Sequence, residues 1–215
     1  MKANCRARTV AICTLAFLLI TTPACRKSPA VAEYDVLSAF IDAEFASRKG
    51  VHPVEPAGDG ISRIVISNVT ESDEQGVYAR LDGNGQPIPG PQIASSLQKE
   101  DSTLQRTTID AFREANKRQT PLRRSFHTSI DYELVDSTEL QSIFKEGSWP
   151  AFYRRFPGSS GILTFSRVGF SSDGMQALFY VKNRCGELCG GSAYFVMEKR
   201  DDRWVIEKEI DMYVS

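Results

Sequence analysis

The chain is poor in the residues from which catalytic and metal centres are most often built. Only His52 and His127 are histidines among 215 residues. Neither has ligand spacing to a cysteine pair or to the other, which argues against a zinc site. A serine triad would have to run through His127, beside Phe126, and no sequence rule joins it to a serine. "PGSSG" lacks the G-x-S-x-G spacing of a nucleophile elbow. "DGNGQPIPG" is rich in proline and opens no helix, so no phosphate-cradling loop is present. A basic excess is missing as well. Lys and Arg number 26 against 27 Asp and Glu, for a formal charge of −1, and nucleic acid is not expected as a partner. Internal repeats and low-complexity tracts are absent. No cofactor or metal is expected.

What is present begins at the N-terminus. Lys2, Arg6 and Arg8 precede "TVAICTLAFLLITT", Thr9 to Thr22. That apolar run is shorter than the about 20 residues a membrane span needs. It fits the h-region of a signal peptide over residues 1–24. "TPAC", Thr22 to Cys25, resembles the lipobox of bacterial lipoproteins, although Thr22 and Pro23 stand where the family usually has Leu and a small residue. The resemblance implies lipidation of Cys25. Arg26, rather than Asp, follows it, which implies an outer-membrane lipoprotein facing the periplasm and a membrane partner through the lipid. Ordinary cleavage after Ala24 or Ala30, giving a soluble periplasmic or secreted protein, is the alternative. Removing three basic residues with the signal leaves 23 against 27 acidic, a formal charge of −4. Residues 25–31 read as a tether and 32–215 as one domain.

In that domain Tyr34, Leu37, Ile41 and Phe45, with Phe40 beside them, recur at helical spacing, which predicts a helix ending near Gly50. The stripe reads as a core face before it reads as a ligand groove. "ISRIVISNV", Ile61 to Val69, reads as a strand. The Gly- and Pro-rich stretch over about 70–95 reads as a mobile loop. "STLQRTTIDAFREANK" predicts a second helix buried through Leu104, Ile109 and Phe112. "DYELVD" predicts a short strand, and "STELQSIF" a third helix with Ser137 as its N-cap. Asp110 and Glu114, four apart on the second helix, have acid/base spacing but read as a solvated polar face.

The last fifty residues read as four strands: "ILTFSRVGF", "MQALFYVKN", "SAYFVMEK" and "WVIEKEIDMYV". In the last, Trp204, Ile206, Ile210 and Met212 alternate with Glu207, Glu209 and Asp211, with Lys208 an exception on the inner side. The fold class expected is α+β: a four-stranded antiparallel meander with the N-terminal helices on one face. Arg167, inside an apolar strand, needs a partner; Glu198, Asp211 and an anionic ligand are the candidates. His127 is the second candidate ligand or ion-pair residue.

"NRCGELCGGSAYF" places Cys185 and Cys189 four residues apart. In an extended strand they would lie about 13 Å apart, too far for a disulfide. They pair only across a turn, which Gly186 permits. A structural disulfide is the reading preferred over a redox dithiol or a metal clasp. From Trp149 to Ser215 the chain resembles a group of exported bacterial proteins. They share Trp149, Phe152, Pro157–Ser159, Ser166–Phe170, Gln176–Leu178, the turn Cys185–Gly190, Glu198, Lys199 and Trp204. The resemblance implies a fold and no activity. The function expected is that of an envelope-tethered, non-catalytic binding or assembly module with an envelope protein or a small molecule as partner. An enzyme of unknown reaction, or a thiol-redox protein using Cys185 and Cys189, is the alternative.

Overall fold

A computed structural model describes residues 29–46, 61–72 and 96–214. The signal segment, Cys25 and His52 lie outside the described residues. Helix α1 spans Pro29–Ile41 and continues into one π-helical turn, Asp42–Ala46. The tether expected over 25–31 therefore gives way to helix at Pro29. Strand β1 (Arg63–Ser67) follows. Residues 96–100 are helical. Then come α2 (Arg106–Ala115), β2 (Asp131–Val135), α3 (Ser137–Arg155), β3 (Ser159–Phe165), β4 (Gly169–Phe170), β5 (Gln176–Arg184), β6 (Gly190–Arg200) and β7 (Arg203–Val214).

The protein is α+β, built on a mixed sheet of seven strands in the order β2-β1-β3-β5-β6-β7, with β4 also paired to β5. The antiparallel strands β3, β5, β6 and β7 are extended by two strands in parallel register, β1 on β3 and β2 on β1. "ILTFSRVGF" is two strands, not one. The break at Ser166–Val168 is held by side chains: the Arg167 amide donates to Asn116 Oδ1 (2.7 Å) and the Val168 amide to Glu33 Oε1 (2.8 Å).

Helices cover both faces, which corrects the expectation of one. Helix α1 packs Val36, Leu37, Phe40 and Ile41 against Leu163, Phe165, Phe179 and Phe195. On the other face α2 packs Ile109 and Phe112 against Leu178, Tyr180, Tyr194 and Val196. Beside it α3 packs Ile143 and Phe152 against Val65 and Ile162. The alternation along β1 and β5 is thus apolar on both sides, as a sheet buried between two layers requires. Helix α2 lies directly on β4: a Cβ added at Gly169 would sit 2.2 Å from the Phe112 nitrogen.

One boundary differs from expectation for an identifiable reason. The N-cap of α3 is Asp136, whose carboxylate accepts from the Glu139 amide (2.8 Å), not Ser137. The same helix breaks at Gly147 and at Ser148, which has φ of 56°. Pro150 then begins the second half, where a missing N–H costs little. Thr70, Glu71 and Ser72, at the start of the loop expected over about 70–95, are buried, and the Glu71 amide donates to the Phe165 carbonyl (2.9 Å). Residues 73–95 lie outside the described part. Among the described residues no helix is long and apolar enough to cross a membrane.

Candidate functional site

Of the residues singled out by sequence, the two cysteines meet, and Arg167 and His127 each contact other partners. The chain turns between β5 and β6, and Cys185 and Cys189 come to disulfide distance, with Cα atoms 5.0 Å apart. The Cys185 and Gly186 amides both donate to the Cys189 carbonyl (2.9 and 3.1 Å). Tyr153, from α3, donates its hydroxyl to the Cys185 carbonyl (2.7 Å). Gly161 of β3 passes so close that a Cβ there would lie 2.3 Å from the Arg184 carbonyl oxygen. The turn is thus clasped from α3 and β3.

Arg167 has a partner that spacing did not indicate. Its Nε donates to both oxygens of Glu33 (2.7 and 2.9 Å), and its Nη1 to Thr120 Oγ1 (3.3 Å). The hydrogen bond it donates to Glu33 raises the guanidinium pKa further, against the effect of burial. Glu198 instead pairs with Arg200, and Asp211 lies on β7. His127 is exposed, and its amide donates to Ser38 Oγ (2.9 Å). Asp110 pairs with Arg106 (3.2 Å) and Glu114 with Lys117 (2.5 Å). Among the described residues no three His, Cys, Asp or Glu are placed to hold a metal ion.

A cleft of about 220 Å³ lies instead between α1 and the sheet. Its floor is Leu163, Val181, Ala193 and Phe195; Phe40, Glu44 and Phe45 form the helical wall, and Glu209 and Asp211 the β7 side. Among the described residues no Lys, Arg or His lines it. Two departures from regular geometry shape it. The first is the π-helical turn Asp42–Ala46, which carries Glu44 and Phe45. Such turns are frequent at functional sites. Asp42 Oδ1 fixes its start by accepting from the Ser129 amide (2.7 Å) and hydroxyl (2.8 Å).

The second is β7, whose register against β6 shifts twice, between Ser192 and Ala193 and between Val196 and Met197. Met197 pairs with Ile206, but Val196 pairs with Lys208, so Glu207 is extra. The side-chain phase of β7 therefore reverses there. Trp204 and Ile206 pack on the α1 side, whereas Ile210 and Met212 pack on the α2 side. This corrects the expected single apolar face. Glu209 and Asp211, opposite Phe195 and Ala193, turn with the strand to the cleft side. Lys208, read as an inner exception, is exposed. Asn183 also lines the cleft, and its Oδ1 is buried without a hydrogen-bond partner.

Sequence reasoning missed Glu33, Asn183 and the two β7 carboxylates. The signal for the aromatics was there: the Tyr34 stripe serves the core, and its members Phe40 and Phe45 also reach the cleft. Compared with protein-family models, with curated proteins and with solved structures, the chain matches none.

Proposed function

We propose that the protein is a non-catalytic binding module held at the bacterial cell envelope through a lipid on Cys25, and that the cleft beneath α1 is where it binds. One observation carries this reading. An apolar floor and acceptor groups share a hollow shaped by two irregular elements, the π-turn and the β7 bulge. Binding sites combine apolar lining with a few placed polar groups in this way. The polar residues elsewhere that would otherwise suggest chemistry are committed to structure: Arg167 to Glu33, Asp110 to Arg106 and Glu114 to Lys117. In the exported protein Cys185 and Cys189 form a structural disulfide, since export permits oxidation.

The cleft reading is tested by amide chemical-shift mapping with n-hexanol, a neutral probe of suitable size. Saturable shifts centred on Phe45, Asn183 and Ser192 are expected. Shifts scattered over the surface, or none, overturn the reading.

A further inference from the structure

Helix α1 lies along β5 and runs the same way. Near its start Glu33 accepts from the Val168 amide (2.8 Å), next to β4, whose Gly169 pairs with Leu178. At its other end Phe45 borders the cleft together with Asn183 and Gly191. From Glu33 to Phe45 a helix advances about 18 Å, and from Leu178 to Asn183 a strand advances about 17 Å, so the two tracks match. Pro29, one turn before Glu33, therefore stands at the end of the sheet where β5 starts. The disulfide turn, after β5, lies at the opposite end. A lipid on Cys25 would be separated from Pro29 by no more than about 14 Å of chain. The bilayer then meets the end at which α1 begins.

That end carries an apolar edge. Among the described residues the exposed large hydrophobics are Met175 (47%) and Leu188 (88%), and they lie at opposite ends of the sheet. Met175 closes the turn between β4 and β5. Its amide donates to Asp173 Oδ1 (3.0 Å) and its carbonyl accepts from the Lys199 amide (2.8 Å), so the backbone beneath the exposed side chain is held to β6. Trp204 pairs with Lys199, and its ring lies 6.0 Å from that of Phe170. Both rings are half-buried. A tryptophan packed on one side and wet on the other suits the level of lipid headgroups. Charge does not draw this end to an anionic surface. Lys199, Arg200 and Arg203 are balanced by Asp173, Asp201 and Asp202. Lys199 already pairs with Asp202 (3.2 Å) and Arg200 with Glu198 (3.3 Å).

We infer that the anchored protein stands on the bilayer through the β4–β5 and β6–β7 turns, with Met175 among the headgroups, Trp204 and Phe170 behind it, and the disulfide turn with Leu188 pointing away. This rests on the lipid anchor at Cys25. The test uses the full-length protein, purified with its lipid and reconstituted in phosphatidylcholine vesicles with or without brominated acyl chains. Met175→Trp and Leu188→Trp each add one fluorescent reporter at an exposed position. The emission gained in Met175→Trp is expected to shift to the blue on reconstitution and to be quenched by the brominated lipid. The emission gained in Leu188→Trp is expected to do neither. Phosphatidylglycerol or added salt should leave the quenching unchanged, because the contact carries no net positive charge. No added quenching in Met175→Trp, or equal quenching in both variants, overturns the inference and leaves the anchor standing. Quenching that needs phosphatidylglycerol and is lost in salt overturns the apolar contact. Absence of lipid on Cys25, read by mass spectrometry, overturns the anchor and this inference with it.

Discussion

Arg167 shows how far single residues speak for themselves. An arginine flanked by Ser166 and Val168 in an apolar stretch announces a need for a counter-charge. It does not announce which, because the partner stands 134 positions away on α1. Glu33 is 5% exposed and accepts from both the guanidinium and the Val168 amide. It therefore holds α1 to the sheet and also satisfies the strand break between β3 and β4. Glu33→Gln keeps an acceptor for Val168 but leaves the guanidinium without its counter-charge. A loss of about 2–3 kcal/mol in denaturant unfolding is expected, the range for hydrogen bonds to charged groups. Replacing both residues by methionine should cost less than the sum of the single changes, because the second replacement removes the stranded charge. A Glu33→Gln loss below about 0.5 kcal/mol would make this an ordinary surface pair.

At the scale of elements, the turn between β5 and β6 is defined twice, by the sulfurs and by hydrogen bonds. The Cys189 carbonyl accepts two amides and Tyr153 holds the Cys185 carbonyl. A crosslink closing so short a loop contributes about 2 kcal/mol by chain entropy. The Cys185→Ala/Cys189→Ala variant is therefore expected to lose about 1–2 kcal/mol and keep its circular dichroism spectrum. Free, rapidly alkylated thiols in the native protein would instead mark a functional dithiol. This turn was legible because two cysteines and three glycines constrain it locally. The strands of the last fifty residues were legible for the same reason, each carrying its own alternation. What spacing does not carry is a change of phase within one strand. The residues from Trp204 to Met212 keep a period of two in sequence, yet the bulge at Glu207 divides them between two faces. Nothing within the strand marks the extra residue, since the ladder with β6 decides it. The second layer of helices was hidden similarly, because β1 and β5 are apolar on both sides and so do not say which face a helix covers.

At the scale of the whole molecule, the position of α1 bears on the proposed lipid anchor. The helix begins at Pro29, four residues after Cys25. At no more than about 3.6 Å per residue, the chain between them reaches about 14 Å at most. A lipid on Cys25 would thus hold the domain within a helix diameter or so of the bilayer surface. The strain of such a short leash would fall on α1, whose first turns are clamped to the sheet by Glu33 and Arg167. Through Tyr34, whose hydroxyl accepts from the Arg123 amide (2.6 Å), the same helix is tied to the segment leading to β2. The wild-type protein should incorporate labelled palmitate and sediment with the envelope. Cys25→Ala should lose the label and appear in the soluble periplasmic fraction with unchanged thermal stability, because residue 25 precedes the helix and the sheet. An unlabelled, soluble wild-type protein would rule out the anchor and leave plain secretion, with the α1 clamp then serving the fold alone.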